Sequence, residues 1–198
     1  MEMQGSRALA VTQQQAWDAL NDPAVLKASI PGCDKLEATG ENQYAVGMAV
    51  KIGPVAAKFA GKVTLSDINP PNNYTIAFDG QGGVAGFGKG QSRVLLAPAA
   101  EGPGCELSYT VQAQVGGKIA QMGQRLIDGA ARSMAEDFFK RFDLEMQRRH
   151  PQAYAAQAAA QTAAAPGAAT ANGGKIPLWV WIVGALAVAA LALGWLMR

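Results

Sequence analysis

The chain has 198 residues, 49% hydrophobic and 16% charged, with a formal net charge of +2; that is too long for one minimal domain and too apolar for a disordered tail. All 15 acidic residues lie within residues 1–150, where Lys and Arg balance them; only Lys175 and Arg198 stand beyond, so no basic nucleic-acid surface is indicated. Two distant cysteines, Cys33 and Cys105, and a single histidine, His150, leave no material for a disulfide framework, a CxxC knuckle, a His-based metal site or a Ser-His-Asp triad.

Met3–Val11 reads as an opening strand. Thr12 is placed to cap a helix over Gln13–Leu20, and Asp22-Pro23 supplies a cap followed by Pro at the first position of a second short helix, Ala24–Ser29. The turn Ile30-Pro31-Gly32-Cys33 leads into a short strand, Asp34–Ala38. Tyr44, Val46, Met48, Val50 and Ile52 then alternate with small or polar residues, and after Gly53-Pro54 the alternation resumes at Val55, Ala57, Phe59, Gly61, Val63 and Leu65. Tyr74, Ile76 and Phe78 continue it beyond Pro70-Pro71-Asn72-Asn73. Gln91–Ala97 adds a strand, and Cys105, Leu107, Tyr109, Val111, Ala113 and Val115 mark the last. About seven strands, each apolar on one face, predict one antiparallel sheet solvated on its other side.

Past Gly116-Gly117 the period changes. Ile119, Met122, Leu126, Ala130, Met134, Phe138 and Phe142 share one stripe of a helix predicted from Lys118 to about Arg149. The opposite face carries Gln121, Arg125, Asp128, Arg132, Glu136 and Arg141. Only the concave face of a curved sheet is wide enough to bury that stripe, so residues 1–150 are expected to form an α+β helix-grip domain. Met48, Phe59, Phe78 and Tyr109 on the sheet, Met on the helix and the Gly-rich run Gly80–Gly90 either pack completely or leave an apolar cavity; the glycines favour the cavity.

Residues 151–174 contain 12 alanines and no charge, and predict a flexible linker, helical in part over Ala153–Ala165. Residues 175–198 predict an anchor. Ile176–Met197 is 22 residues without a charge, enough as a helix to span roughly 30 Å of hydrocarbon, with Lys175, Trp179, Trp181, Trp195 and Arg198 at its two interfaces. The first residues hold no apolar run of signal-peptide length, so the expectation is a tail-anchored protein of the cytoplasmic membrane with its domain facing the cytoplasm. Arg148-Arg149-His150 suits a helix C-terminus and anionic lipid headgroups.

Other patterns carry less. Gly80-x-Gly82-x-x-Ala85 has the spacing of a dinucleotide fingerprint but opens no helix and sits in no βαβ unit. Cys33 is read as a small turn-adjacent hydrophobe rather than a reactive thiol. Asp18 and Asp22 are helix-surface and cap residues. No set assembles nucleophile, base and orienter, so no catalytic residue and no metal ligand is assigned.

Ile30-Pro31-Gly32-Cys33, Val50-Lys51-Ile52-Gly53-Pro54-Val55 leading into Phe59-Ala60-Gly61-Lys62-Val63, the Gly86–Gly90 segment, and Gly117-Lys118-Ile119-Ala120-Gln121-Met122-Gly123 together resemble CoxG, the carbon monoxide dehydrogenase G-subunit family, over roughly residues 2–148. The family belongs to the START-like (SRPBCC) superfamily. The resemblance implies an accessory protein and not an enzyme. It implies a molybdenum hydroxylase of the carbon monoxide dehydrogenase type as partner, docked at the membrane bilayer, and a quinone, not covalently held, in the helix-grip cavity. On that reading Met48, Val50, Phe59, Phe78, Phe87, Tyr109, Met122, Leu126 and Met134 line the cavity, with Tyr109 donating to a carbonyl oxygen. The loop Ile30, Pro31, Gly32 and Cys33 is a candidate docking edge for the partner. Two alternatives stay open: a maturation factor for the hydroxylase without lipid binding, and a cyclase- or dehydratase-like enzyme using the same cavity.

Overall fold

The computed structural model describes residues 1–164 apart from Glu101. A first strand, β1 (Glu2–Leu9), is followed by α1 (Gln13–Leu20) and α2 (Pro23–Ser29). The remaining strands then run as a meander: β2 (Cys33–Gly40), β3 (Gln43–Ile52), β4 (Val55–Asn69), β5 (Asn73–Gln81), β6 (Phe87–Pro98) and β7 (Cys105–Gly116). They form one seven-stranded sheet, β1-β7-β6-β5-β4-β3-β2, antiparallel throughout. Helices α3 (Gln124–Arg149) and α4 (Pro151–Ala164) complete the described chain. This is the expected α+β helix-grip arrangement. The predicted anchor Ile176–Met197 and the second part of the linker lie outside the described residues; among the described residues no helix is long and apolar enough to cross a membrane.

The caps form as the sequence dictates. Thr12 and Gln15 make a reciprocal capping box on α1, and the Asp22 carboxylate accepts from the Ala24 N–H at 2.8 Å, with Pro23 opening α2. Between β3 and β4 the tight turn uses Gly53 at φ +55°, a conformation that costs glycine little.

The long helix differs from expectation at its start. Residues Ala120–Met122 make a single 3-10 turn, and Gly123, at φ +88°, breaks the chain direction before α3 begins at Gln124. A residue with positive φ cannot continue a right-handed helix, so the stripe is re-phased there. Ile127 is buried in place of Leu126, which is 42% exposed, and the face continues through Phe139, Phe142 and Met146.

At one end of the grip the space between helix and sheet is filled. Leu9, Val11, Trp17, Leu20, Val25, Tyr74, Val94, Leu96, Leu107, Phe139, Phe142 and Met146 form a continuous core, with α1 and α2 closing that end. Trp17 meets Tyr74 edge to face at 5.5 Å, and Phe138 stacks on Phe142 at 5.8 Å. Arg149 ties the helices together: it donates to Asp22 at 2.8 Å and to Glu145 at 2.9 Å, and both carboxyls are held below their ordinary range chiefly by those hydrogen bonds.

The first part of the predicted linker is helix, as expected in part over Ala153–Ala165. Pro151 opens α4 after His150 ends α3, Ala153 and Tyr154 pack on the core, and the Tyr154 hydroxyl donates to the Asp143 carboxylate at 2.5 Å. One compact unit spans Met1–Thr162.

Candidate functional site

Between the filled core and a smaller apolar cluster at the far end, where Ile127 of α3 is buried with Ala85 and Ile119 among Ile52, Val55, Phe59 and Val115, α3 stands off the concave face of the sheet. The gap is a cavity of about 400 Å³, within the range of small-ligand sites. Its floor is made by a cross-strand row of glycines: Gly61 of β4 pairs with Gly80 of β5, which pairs with Gly88 of β6, and all three line the cavity. In the packed half the same strands carry Leu65, Tyr74, Val94 and Leu96 at the equivalent face. Side-chain volume, removed from one end of the strands, creates the space.

The walls are apolar. Met48 and Val50 come from β3, Phe59 from β4, Phe78 from β5, Phe87 from the start of β6, Val111, Ala113 and Val115 from β7, and Ile127, Ala130, Ala131 and Met134 from α3. Met1 and Met3 contribute from the N-terminal edge, and Ile119 from the segment before α3. Lys62 and Asp79 border the cavity, but both are solvent-exposed residues of the sheet. Among the described residues no tyrosine, histidine, cysteine, serine or threonine lines it. A ligand there would be held by shape, dispersion and the hydrophobic effect, not by directed hydrogen bonds. Three phenylalanine rings and the methionine thioethers give an adaptable apolar surface. Among the described residues no group of three His, Cys, Asp or Glu side chains is placed to hold a metal ion.

Six of the nine residues expected in the cavity are brought together there: Met48, Val50, Phe59, Phe78, Phe87 and Met134. Three are elsewhere. Tyr109 faces the concave side but too far along β7, where its ring packs on Phe139 at 5.5 Å, so it belongs to the filled half and donates nothing into the cavity. Leu126 and Met122 lose their places to the break at Gly123; their side chains lie over the β3–β4 turn, close to Gly53. Sequence reasoning missed the glycine floor as such, although a run of small residues inside strand pattern was its visible signal.

The loop Ile30–Cys33 sits beside edge strand β2. Ile30 and Pro31 are half-buried rather than exposed, and the Gly32 carbonyl accepts from the Ala49 N–H at 2.9 Å, which fixes the loop to β3. Cys33 donates to the Lys35 carbonyl at 3.3 Å, and burial pushes its thiol up, away from the thiolate that a reactive cysteine needs. Burial also raises the Cys105 thiol to about 11, in the core.

The comparisons agree with this architecture. A conserved protein from Geobacillus kaustophilus is 34% identical, with a TM-score of 0.71, covering 75% of this chain and 96% of its own. A putative uncharacterized protein from Rhizobium leguminosarum (15% identity, TM-score 0.58, 75% and 95% covered) and a protein from Mycobacterium smegmatis (13%, 0.53, 75% and 92%) share the fold. No curated protein matches the chain in sequence. The family model of the carbon monoxide dehydrogenase G-subunit (CoxG) matches residues 5–147, which contain most of the cavity-lining residues, the glycine floor and nearly all of α3. The chain therefore belongs to the CoxG family, whose name marks an accessory role beside carbon monoxide dehydrogenase.

Proposed function

We propose that the protein is a membrane-tethered, non-catalytic carrier that holds a respiratory quinone in the helix-grip cavity and recruits a molybdenum hydroxylase of the carbon monoxide dehydrogenase type to the cytoplasmic membrane. The observation that carries this reading is the cavity itself: an unfilled space with apolar walls, floored by glycine, whose polar side chains among the described residues are Lys62 and Asp79 at its border. An enzyme working in that space would need a polar group aimed into it to move a proton or stabilise charge, and among the described residues the lining offers only Lys62 and Asp79, both solvent-exposed. A quinone, by contrast, asks mainly for a flat apolar slot, and it supplies the electron-accepting chemistry when bound. Exposing its isoprenoid tail to water costs about 25 cal/mol per Å². The walls lower that cost, and the apolar run Ile176–Met197 would keep the carrier beside its supply.

Two measurements test the reading. Residues 1–164 titrated with a short-chain quinone are expected to gain several degrees in unfolding temperature through ligand linkage. Vesicles carrying the full chain are expected to retain the hydroxylase, and vesicles without it are not. No shift with any quinone, together with unchanged hydroxylase retention, would sink the proposal.

A further inference from the structure

The cavity end of the domain presents an apolar and basic rim. Val84 is 87% exposed, more than any other large hydrophobic residue of the described chain. It sits in a 3-10 turn, Gly83–Ala85, between β5 and β6. Ala85 beside it is buried against Ile119 and Ile127, and the Ala85 carbonyl accepts from the Ile119 N–H at 3.0 Å. Gly86 is pressed against the backbone of Gly116 and Gly117 so closely that a Cβ on it would overlap the Gly116 carbonyl oxygen. Leu126, 42% exposed, stands next to Ile127 on the same end and reaches over the Gly53 turn. Three exposed cations flank this rim: Lys51 precedes Ile52, Lys118 precedes Ile119 and Arg125 precedes Leu126. None of the three is in an ion pair among the described residues, and Asp128, the acid one turn along α3, accepts from Gln124 at 2.7 Å. At the filled end the charges are matched instead: Arg148 and Arg149 both engage Glu145, and Arg149 also engages Asp22.

We propose that this rim docks on a bilayer containing anionic lipid, with Val84 and Leu126 entering the headgroup region and Lys51, Lys118 and Arg125 meeting the lipid charge. The inference rests on the carrier reading and adds to it the face of the domain that meets the membrane. Charge complementarity argues for it, since juxtamembrane Lys and Arg are drawn to an anionic lipid surface.

The test uses the full chain in a Cys33→Ser background, reconstituted into vesicles of phosphatidylcholine with phosphatidylglycerol. A polarity-sensitive fluorophore is placed at Val84→Cys or, as control, at Leu144→Cys, a residue 58% exposed near the C-terminal end of α3. Position 84 is expected to shift to the blue and to be quenched by nitroxide-labelled lipid at least about threefold more than position 144, as an interfacial residue is. Lys51→Glu with Arg125→Glu, or vesicles of phosphatidylcholine alone, should remove most of that difference. Equal quenching at the two positions would overturn the proposal, and so would protection of position 84 that appears only when the hydroxylase is added, which would mark the rim as a protein-binding surface. Quinone extracted from the same samples separates the two readings: quinone present with position 84 in water leaves the carrier and removes the docking, while position 84 in lipid with no quinone does the reverse.

Discussion

One sheet serves two ends of this molecule differently. On β5, Tyr74 and Ile76 face the filled end and Gly80 the open one; on β6, Val94 and Leu96 face the filled end and Gly88 the open one. The backbone pairing continues without interruption from one end to the other. What separates a core from a cavity is therefore side-chain volume along individual strands, not a change of fold. Close packing is the default of a protein interior, and the open end departs from it because a row of glycines withholds the atoms that would fill it.

The largest expected effect is at the filled end. Phe142→Ala, at a site with no exposure, should cost about 3–5 kcal/mol in denaturant unfolding, whereas Phe78→Ala, half-buried beside the cavity, should cost about half of that or less. Equal losses would mean that the two ends are packed alike.

Adding volume sharpens the contrast. Ala16→Leu places extra carbons where exposure is zero and should destabilise by about 1–3 kcal/mol. Gly88→Leu meets nothing within 4 Å at its new Cβ, so the domain should be unchanged or up to about 1 kcal/mol more stable, as expected on replacing a strand glycine, while its ligand is excluded. A Gly88→Leu protein that unfolds more easily than its parent would show that the space is not there.

Acid should act through the filled end first. Asp22 and Glu145, held by Arg149 below their ordinary values of 3.8 and 4.5, bind protons less readily in the folded than in the unfolded chain. Their contribution to stability is complete above those ordinary values and is lost as the pH falls through the lowered folded ones. Glu145→Gln should flatten the acid limb of a stability-against-pH curve; an unchanged limb would remove Arg149 from the account. The smallest effect belongs to the rim, where Leu126→Ser should change stability by less than about 0.5 kcal/mol.

Much of this architecture was readable in the residues. The alternation of β3, β4 and β7, the caps at Thr12 and Asp22 and the terminal helix all rest on local rules that tertiary context did not override. The cavity wall was readable where period-2 phase alone decides the face, as for Met48, Val50, Phe59 and Phe78. It was not readable where distance along a strand decides, as for Tyr109, because alternation says which side a residue faces and not which end of the sheet it occupies. Nor could the heptad-like stripe locate Met122 and Leu126, since the break at Gly123 shifts the phase and a glycine carries no side chain to announce its φ. The helicity of α4 was readable in part from its alanines, whereas its packing through Tyr154 on Asp143 is a contact between helices that composition does not contain.

The central claim, that the open end exists to hold a quinone, is tested most directly by native mass spectrometry and solvent extraction of residues 1–164, purified without detergent from quinone-making cells, beside the same fragment carrying Gly88→Leu. The account predicts a quinone bound stoichiometrically to the parent and lost from the variant. A folded parent that carries no quinone, or a variant that retains as much as the parent, would contradict it.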